Sequence, residues 1–467
     1  MRGSGISLLQ FMEGANNRYV IPVYQRKYEW KQDNCQQLYM DLKRVVAQKR
    51  NSHFFGSIVS SVMPDGAKIE YHIIDGQQRL TTITLLLLAI RNLVIAGKVK
   101  SQFGKLDEEI NMRFLTAPWS HDGDTIKLHL VKSDRDALEK LFGPTEDFDP
   151  TSPLTQNYQF FCNEILKEEL SVDALYAAIG KLEIISITLE QGDDAQLIFE
   201  SLNSTGLALP EGDKIRNYVL MGLSPRDQKQ LYEDYWCKIE TCTNDDVSVF
   251  VRDYLSIKQQ TTPTISAVYR TFKEYAETSM LPTESLLRDM LCYARLFQKL
   301  WTCRSELDAP QLDACLYRMK RLEINVTRPF LMQILKLNLD GKISATDVQQ
   351  VFLMVENYLF RRNICEVPTN ALNKVFLNLN KEILRFDNTT DRYVDKLAYS
   401  LRTKKESSRF PDDREFVTEL ANKQVYQMRG KYKAYLFERF ENFGTVETKD
   451  VFRHLDQNTY TLSLIHI

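Results

Sequence analysis

The sequence predicts an α/β N-terminal domain that is followed by a mainly α-helical domain and a short third region. From residue 19 to about residue 220, short β-rich runs alternate with helical patterns, which is typical of an α/β domain. Between residues 224 and 400 the strand signals fade, and apolar residues recur at helical spacing. Residues 401–416 are charged and contain Ser-Ser and Pro, so they mark a connection to the third region.

Individual segments predict these elements in chain order. The predicted strands are YVIPVY (residues 19–24), FFGSIVSSV (54–62), YHIID (71–75) and LEIISITLE (182–190). The predicted helices are LTTITLLLLAIRNLV (80–94), QQVFLMVENYLFRR (349–362), LNKVFLNLNKEILRF (372–386) and a segment around residues 426–440. We therefore expect three domains, at residues 1–223, 224–405 and 406–467.

Composition and charge limit the class of protein. A chain of 467 residues that is 43% hydrophobic can bury a large core and is long enough for two or three domains. The formal net charge of −2 gives no reason to expect that the surface as a whole binds a polyanion or a membrane. The eight cysteines form no CxxC pair and no cluster of metal-ligand spacing, which favours buried thiols in a reducing cytoplasm.

The N-terminus and the most apolar run give no membrane or export signal. MRGSGISLLQFMEG lacks the charged region and the long apolar stretch of a secretory signal. ITLLLLAI, at residues 83–90, is far shorter than the ~20 apolar residues of a membrane span. We expect a cytoplasmic protein with no membrane partner.

A polar cluster, YHIIDGQQRLTT at residues 71–82, stands where a buried strand is predicted to become a buried helix. Gly76, Gln77, Gln78 and Arg79 fall on the joining turn and the first helical turn, where backbone N–H groups are unpaired and the helix dipole is positive. The guanidinium of Arg79 suits phosphate oxygens, and Thr81 and the two glutamines add neutral donors. The stretch therefore predicts a phosphate cradle. No GxxxxGK[ST] occurs, so the device is not a P-loop.

Asp75 ends the strand and allows two interpretations. Its carboxylate could hold a Mg²⁺ that bridges phosphates, or orient a water. Alternatively, Asp75 caps the helix, and the polar side chains of the cluster only stabilise the turn.

IPVYQRKYEW, at residues 21–30, is the second candidate stretch. It combines aromatic rings that can stack a base with charged and amide groups, of which the charged ones can reach phosphate: Tyr24, Tyr28 and Trp30 stand around Gln25, Arg26 and Lys27. The structural alternative is an aromatic-rich edge strand that turns into a helix, with Tyr24 and Trp30 in the core.

IFESLNSTGLALPEGDKIRNYVL, at residues 198–220, is the third candidate stretch and reads as a helix, a polar turn and a second helix. Glu200 and Asn203 could contact a metal or a ribose, and Lys214 and Arg216 could contact phosphate. The structural alternative is a plain helix-loop-helix, for which the sequence signals are clear.

These three stretches, in this order, resemble the N-terminal module of the GmrSD-type modification-dependent restriction family, which a phosphorothioate-sensing nuclease of bacterial defence systems shares. The resemblance covers most of residues 1–225 and implies a ParB/sulfiredoxin-like fold that binds and hydrolyses a nucleoside triphosphate with Mg²⁺. Lys27 stands where many relatives have proline.

The resemblance assigns roles residue by residue. It implies that Asp75, Gly76, Gln77, Gln78 and Arg79 form the nucleotide-hydrolysis and phosphate motif, and that Tyr24, Gln25 and Arg26 line the same pocket. With the residue chemistry above, the predicted catalytic residues are Asp75, Gln77, Gln78 and Arg79, and Asp75 is the candidate Mg²⁺ ligand. The predicted nucleotide-binding residues are Tyr24, Gln25, Arg26, Gly76, Arg79, Thr81 and Asn203.

The C-terminal part resembles the family's connection into a nuclease domain of HNH type, where the histidine of an EHI(M/L)PQ stretch activates water beside a divalent metal. FRRNICEVPTNALNK and FPDDREFVTELANKQVY carry this resemblance. NTYT resembles the residues just before that stretch, but LSLIHI follows, which we expect to be translated adapter sequence rather than native protein. His466 therefore has no predicted nuclease role, and DNA cleavage is expected only of the full-length form.

Other polar residues have structural interpretations. We expect His53 and His72 to be structural residues at strand edges, and His121 to lie in a polar surface turn. Asp193 and Asp194 suit a helix N-terminus, and their relation to the site stays open.

Three functional hypotheses follow. The first is a nucleotide-hydrolysing regulatory part of a DNA-defence protein that couples nucleotide state to a nuclease domain. The second is a non-hydrolysing module that uses nucleotide as a clamp on DNA or protein. The third is purely structural and predicts no nucleotide affinity.

Overall fold

The computed structural model describes residues 1–65, 68–117, 124–190, 192–203, 209–444 and 449–456, without the side chains of residues 64, 65, 68, 202, 203, 455 and 456. The chain forms two compact units, Met1–Tyr232 (unit 1) and Glu233–Ile467 (unit 2). A mixed α/β architecture is followed by a mostly helical one, as the sequence predicts.

Unit 1 contains a six-stranded mixed sheet. Its strands are β1 (Arg2–Ser7), β2 (Asn17–Val20), β3 (His53–Asp65), β4 (Lys68–Asp75), β5 (Leu128–His129) and β6 (Leu182–Leu189). The strand order is β1-β6-β3-β4-β2-β5. β2 runs parallel to both β4 and β5, whereas β3 runs antiparallel to β4 and parallel to β6. Three adjacent parallel strands therefore end at one edge of the sheet.

Ten α-helices accompany the sheet in the described part of unit 1. They are α1 (Leu8–Met12), α2 (Gln32–Ala47), α3 (Gln77–Ile95), α4 (Leu106–Ile110), α5 (Lys132–Leu141), α6 (Pro153–Leu166), α7 (Val172–Ile179), α8 (Ala195–Asn203), α9 (Glu211–Leu220) and α10 (Pro225–Leu231).

Side chains alternate across the sheet, and each face has its own core. Ile58 and Ile73 belong to the main core, which also contains apolar residues of α2, α3, α6 and α7. Val59 and Ile74 point the other way and pack with Phe199 of α8. The strand β4 is thus covered on both sides just before it ends at Asp75.

The apolar helix α3 is the central helix of the main core. By length and composition it could cross a membrane, but 72% of its most apolar window is buried inside the protein. Burial in the core accounts for the run of apolar residues that follows the polar cluster.

Unit 2 is helical throughout its described part. Its helices are α11 (Cys237–Thr243), α12 (Val247–Gln259), α13 (Val268–Ser279), α14 (Thr283–Thr302), α15 (Leu312–Leu322), α16 (Arg328–Leu339), α17 (Ala345–Ile364), α18 (Leu372–Leu384), α19 (Tyr393–Arg402), α20 (Asp413–Asn422), α21 (Gly430–Glu441) and α22 (Val451–Asp456). The predicted helices at residues 349–362 and 372–386 correspond to α17 and α18.

A buried ion pair joins three helices of unit 2. Arg318 of α15 donates from Nε and Nη2 to the two carboxylate oxygens of Glu356 of α17, at 2.5 and 2.9 Å. The hydroxyl of Tyr435 of α21 donates to the same carboxylate at 3.0 Å. All three residues are buried, so this carboxylate is the polar centre of an apolar region.

The strand β2 is shorter than the predicted strand at residues 19–24. It ends at Val20, and only Ile21 continues the pairing, by donating its N–H to His129 O at 2.8 Å. Pro22 has no N–H to donate, and its carbonyl accepts from Gln25 N at 2.9 Å to form a turn. The predicted change from edge strand to helix is also wrong, because residues 21–31 form a connecting segment before α2 begins at Gln32.

All eight cysteines are free thiols. Burial raises the pKa of Cys35 and of Cys162 to about 11, so both thiols stay protonated at neutral pH. The predicted burial holds for Cys35, Cys242 and Cys315, whereas Cys237 is exposed and the other four cysteines are partly buried.

Candidate functional site

The candidate site lies where β2, β4 and β5 end. Since the three strands are adjacent and parallel, the segments that follow them, at residues 21–31, 76–82 and 130–134, meet at one edge of the sheet. Two of these segments are candidate stretches from the sequence. Ligands of α/β sheets commonly bind at such an edge.

Gly76 makes the sharp turn between β4 and α3. It has a φ of 95°, and a Cβ at this position would lie 2.9 Å from the carbonyl oxygen of Ser57. Only glycine fits this turn. Gly76 is also the residue that precedes the first helical turn, and no side chain caps the helix, so the interpretation of Asp75 as a helix cap is wrong.

Asp75 and Arg79 are the partly exposed members of the DGQQR stretch. Their side chains are 32% and 31% exposed, and Arg79 Nη1 lies 3.9 Å from Asp75 Oδ2. The same Nη1 donates a hydrogen bond to Ser57 O at 2.8 Å. This bond orients the guanidinium, while its other N–H groups give it further donor capacity for an anion.

Gly56 supports Arg79 and was not predicted as a site residue. It has a φ of +118°, and an added Cβ would lie 2.8 Å from Arg79 Nε. The pairing of β3 with β6 is irregular between Phe54 and Gly56. A glycine inside a predicted strand, as in FFGS, is the sequence signal for a bulge or a close approach, and it could have identified this residue.

We predict that Gly56→Ala displaces the Arg79 side chain and costs about 1–3 kcal/mol of stability, because an alanine at this φ is strained. Thermal unfolding measures the loss of stability. A ligand that binds through Arg79 should also bind more weakly to this variant. Gly97→Ala is the matched control, since Gly97 also has a positive φ but no atom lies within 4 Å of the place that an added Cβ would occupy. Equal ligand binding by both variants would show that Gly56 does not position Arg79.

Gln78 is held by the backbone of the first stretch. Its Oε1 accepts from Glu29 N at 2.9 Å and from Trp30 N at 3.3 Å, and its Nε2 donates to Lys27 O at 3.1 Å. The residue is 7% exposed. In this conformation the Gln78 amide shapes the 27–30 segment instead of facing a phosphate.

Gln77 and Thr81 are also buried. The Gln77 Nε2 lies 3.5 Å from Arg26 O, at the limit of a hydrogen bond, and its Oε1 has no hydrogen-bond partner in the described part of the chain. With Thr81, Gln77 lines a cavity of only about 10 Å³. That volume holds about one water molecule, so a nucleotide would have to bind outside this cavity.

The first stretch, residues 21–30, contributes both buried and partly exposed side chains. Tyr24 is buried, which raises its pKa, and Gln25 is buried and donates from Nε2 to Ile74 O at 2.9 Å. Arg26 is only 21% exposed at its side chain and pairs with Glu29 at 2.7 Å. The prediction of Tyr24 as a possible core residue is therefore confirmed, while Arg26 reaches the surface.

Asp134 is a second residue that sequence reasoning missed. Its carboxylate accepts from Tyr28 N at 2.6 Å at the start of α5. Burial raises the pKa of this carboxyl, and the hydrogen bond from Tyr28 opposes the shift. The Tyr28 hydroxyl in turn lies 2.7 Å from Thr82 Oγ1, so this network fixes the segment between β2 and α2.

The third stretch contacts the first through a buried arginine. Arg216 of α9 donates from Nε to Tyr24 O at 2.8 Å and pairs with Asp213 at 2.8 Å. Lys214 pairs with Glu211 at 2.6 Å. Both cations thus have protein partners in this structure. Asn203 is the last residue of α8, and its side chain and the polar turn at residues 204–208 lie outside the described residues.

The remaining candidates have structural environments. His53 lies 3.9 Å from Asp41, and His72 lies 3.4 Å from Glu70. Asp194 accepts from the N–H groups of Gln196 and Leu197 at the start of α8, as expected for a helix N-terminus.

Asp193 has an ionic partner at the start of the chain and a backbone partner. Asp193 pairs with the N-terminal ammonium group at 2.7 Å and accepts from Glu190 N at 2.8 Å. His121 and His466 fall outside the described residues. Across the described ranges, no three His, Cys, Asp or Glu side chains are grouped to hold a metal.

The sequence model for the N-terminal domain of the GmrSD restriction endonuclease matches residues 8–220, a little under half of the chain. Over these residues the match supports likeness to a GmrSD-type restriction family. No curated protein matches the chain at a significant level.

Proposed function

We propose that unit 1 binds a nucleoside triphosphate at the edge where β2, β4 and β5 end, hydrolyses it, and thereby regulates a DNA endonuclease domain of a defence system. The observation that carries this proposal is the convergence of the three candidate stretches. Gln25 donates to Ile74 O, Gln78 to Lys27 O and Arg216 to Tyr24 O, at 2.9, 3.1 and 2.8 Å. Side chains far apart in sequence are thus bonded to backbone groups around one turn.

The groups for phosphate binding are the first turn of α3 and two guanidinium groups. The N–H groups of that turn and the helix dipole attract anions. Arg79 keeps donors beyond its bond to Ser57 O, and Arg26 lies on the neighbouring segment. We propose that both arginines contact phosphate oxygens, with Gly76 permitting close backbone approach.

Asp75 is the residue proposed to act with Mg²⁺ or on the attacking water. Its carboxylate is partly exposed and lies beside Arg79, so it could contribute one oxygen ligand. Mg²⁺ commonly takes one or two protein carboxylates and completes its octahedron with phosphate oxygens and waters, which fits a single carboxylate here.

The buried amides favour a second candidate, a non-hydrolysing nucleotide-dependent module that binds DNA or protein. Both amide atoms of Gln78 are bonded to the backbone, and Gln77 is 8% exposed. In the described conformation these two predicted catalytic residues act by shaping the site. Only Asp75 then remains to orient a water, and turnover would depend on it.

The same proposal extends to the fold of unit 1 and to the rest of the protein. We propose a ParB/sulfiredoxin-like fold for unit 1, a helical domain that transmits nucleotide state, and an HNH-type nuclease domain that cuts DNA in the full-length protein. The proposed location is the cytoplasm. The match of residues 8–220 to the GmrSD N-terminal domain supports this assignment.

The test compares nucleotide binding and phosphate release by the purified chain and by Asp75→Asn, with Mg²⁺ and each of the four common nucleoside triphosphates. We expect Asp75→Asn to bind nucleotide but to release phosphate at least about 100-fold more slowly, because it loses the charge that holds Mg²⁺ or orients water. Asp147→Asn, an exposed carboxylate elsewhere in unit 1, is the control.

The outcomes separate the three hypotheses. Binding without phosphate release by the wild type would favour the non-hydrolysing module. Failure of the folded wild type to bind any of the four nucleotides would overturn the proposal and leave the DGQQR stretch as a structural turn.

A further inference from the structure

Unit 2 contains an open cavity, lined in part by the two stretches that resemble the family's connection into a nuclease domain. It has a volume of about 790 Å³ and lies between the end of α17, the connection at residues 366–369, and the connection from α20 to α21. Pockets for small molecules and cofactors commonly measure ~300–1,000 Å³. The cavity is therefore large enough for a ligand of the size of a nucleotide.

A buried cation lies in the wall of the cavity. Arg362 is 2% exposed, and its guanidinium donates to the carbonyl oxygens of Pro368, Ser407 and Arg409 at 2.6, 2.7 and 3.0 Å. It forms no ion pair with a carboxylate in the described chain, and its Nε has no hydrogen-bond partner there. Three carbonyl oxygens and the Tyr358 ring, whose centroid lies 5.1 Å from Arg362 Cζ, hold this charge, so Arg362 adds positive potential to the cavity wall while its guanidinium is directed at the backbone.

The charged residues that line the cavity carry a net positive charge. The cations are Arg362, Lys423 and Arg429, and the carboxylates are Glu366 and Glu419, which leaves a charge of +1. Lys423 and Glu366 neutralise each other at 2.6 Å. Arg429 is exposed and makes no ion pair with the residues that the structure describes, so it can bind an anion at the mouth.

Amide and aromatic groups form another part of the lining. Asn363, Gln424 and Gln427 carry side-chain amides that make no hydrogen bonds within the described ranges. Amides can pair with the donor and acceptor edges of nucleobases. The ring of Tyr432 and the thioether of Met428 also line the cavity and offer an apolar surface against which a base can stack.

From this combination we infer that the cavity binds a single nucleotide, with its phosphate at Arg429 and its base against Tyr432 and the amides. The inference goes beyond the proposed function, since these residues belong to unit 2 and share none with the DGQQR turn. The nucleotide has two possible sources, a free nucleotide or an unpaired nucleotide within DNA, and both present the same base and phosphate chemistry.

The test measures equilibrium binding of the purified chain to the four deoxynucleoside monophosphates, to a paired duplex, and to the same duplex with one unpaired base. The disrupting variant is Gln427→Ala with Arg429→Ala, because both residues are exposed and their loss should leave the fold intact. Arg414→Ala is the control, as an exposed arginine of α20 outside the cavity lining.

We expect the double variant to bind at least about 10-fold more weakly and Arg414→Ala to bind like the wild type. If the wild type binds a monophosphate and the double variant does not, a free nucleotide is sufficient to occupy the cavity. Binding only of the duplex with an unpaired base, lost in the same variant, would identify DNA as the source. Either result should persist in Arg79→Ala, which keeps it distinct from the unit 1 site. No binding of any probe, or equal binding by the double variant, would overturn the inference.

Discussion

Replacing Arg79 by alanine is expected to weaken nucleoside triphosphate binding by about 10- to 100-fold, since a charge-assisted hydrogen bond to phosphate is worth ~1.5–3 kcal/mol. The guanidinium is 31% exposed and is fixed against Gly56 by its bond to Ser57 O. A donor that is already oriented loses little entropy on binding, so its removal should appear in affinity. Isothermal titration with Mg²⁺ and nucleotide measures the change.

Two control variants sharpen the interpretation of Arg79→Ala. Arg79→Lys keeps the charge but loses the planar fork, and we expect it to recover only part of the affinity. Arg44→Ala removes an arginine of α2 that is 54% exposed and should bind nucleotide like the wild type. If Arg79→Ala lowered the unfolding temperature but left nucleotide affinity unchanged, Arg79 would have only a structural role.

Replacing Arg318 by alanine is expected to destabilise unit 2 by about 3–5 kcal/mol, because the Glu356 carboxylate would remain buried without its cation. The two side chains are 7% and 5% exposed, so the remaining carboxylate would be poorly solvated. The pair links α15 to α17, and the Tyr435 hydroxyl adds α21. Urea unfolding followed by circular dichroism, with the two units fitted as separate transitions, measures the loss.

A triple variant and a surface variant are the controls for Arg318→Ala. Arg318→Met, Glu356→Leu and Tyr435→Phe together remove the whole polar group, and we expect a stability within about 1 kcal/mol of the wild type. Arg288→Ala breaks an ion pair with Glu284 whose side chains are 67% and 53% exposed, and it should leave the unfolding midpoint unchanged. A small effect of Arg318→Ala would mean that the region opens to water.

Secondary structure was predicted well where the signal is local. The alternation in LEIISITLE predicted β6, and the apolar spacing at residues 349–362 predicted α17. These patterns arise because strand and helix repeats place apolar side chains on one face of each element. The early end of β2 was locally encoded by Pro22, which has no N–H for the ladder.

The sequence alone determined that the three polar stretches exist and that Asp75, Gly76 and Arg79 stand where a strand becomes a helix. Only the tertiary structure decided which of their groups stay exposed and which bond to the backbone. Gln78 is bonded to the backbone of residues 27–30, and Arg216 to Tyr24 O, through contacts that span 48–51 and 192 positions of sequence. Such bonds depend on strand order and on how α3 and α9 pack, and neither can be derived from local periodicity. The physical reason is that a polar side chain has no preference of its own between a phosphate and a backbone carbonyl, so its neighbours in the folded chain select its partner.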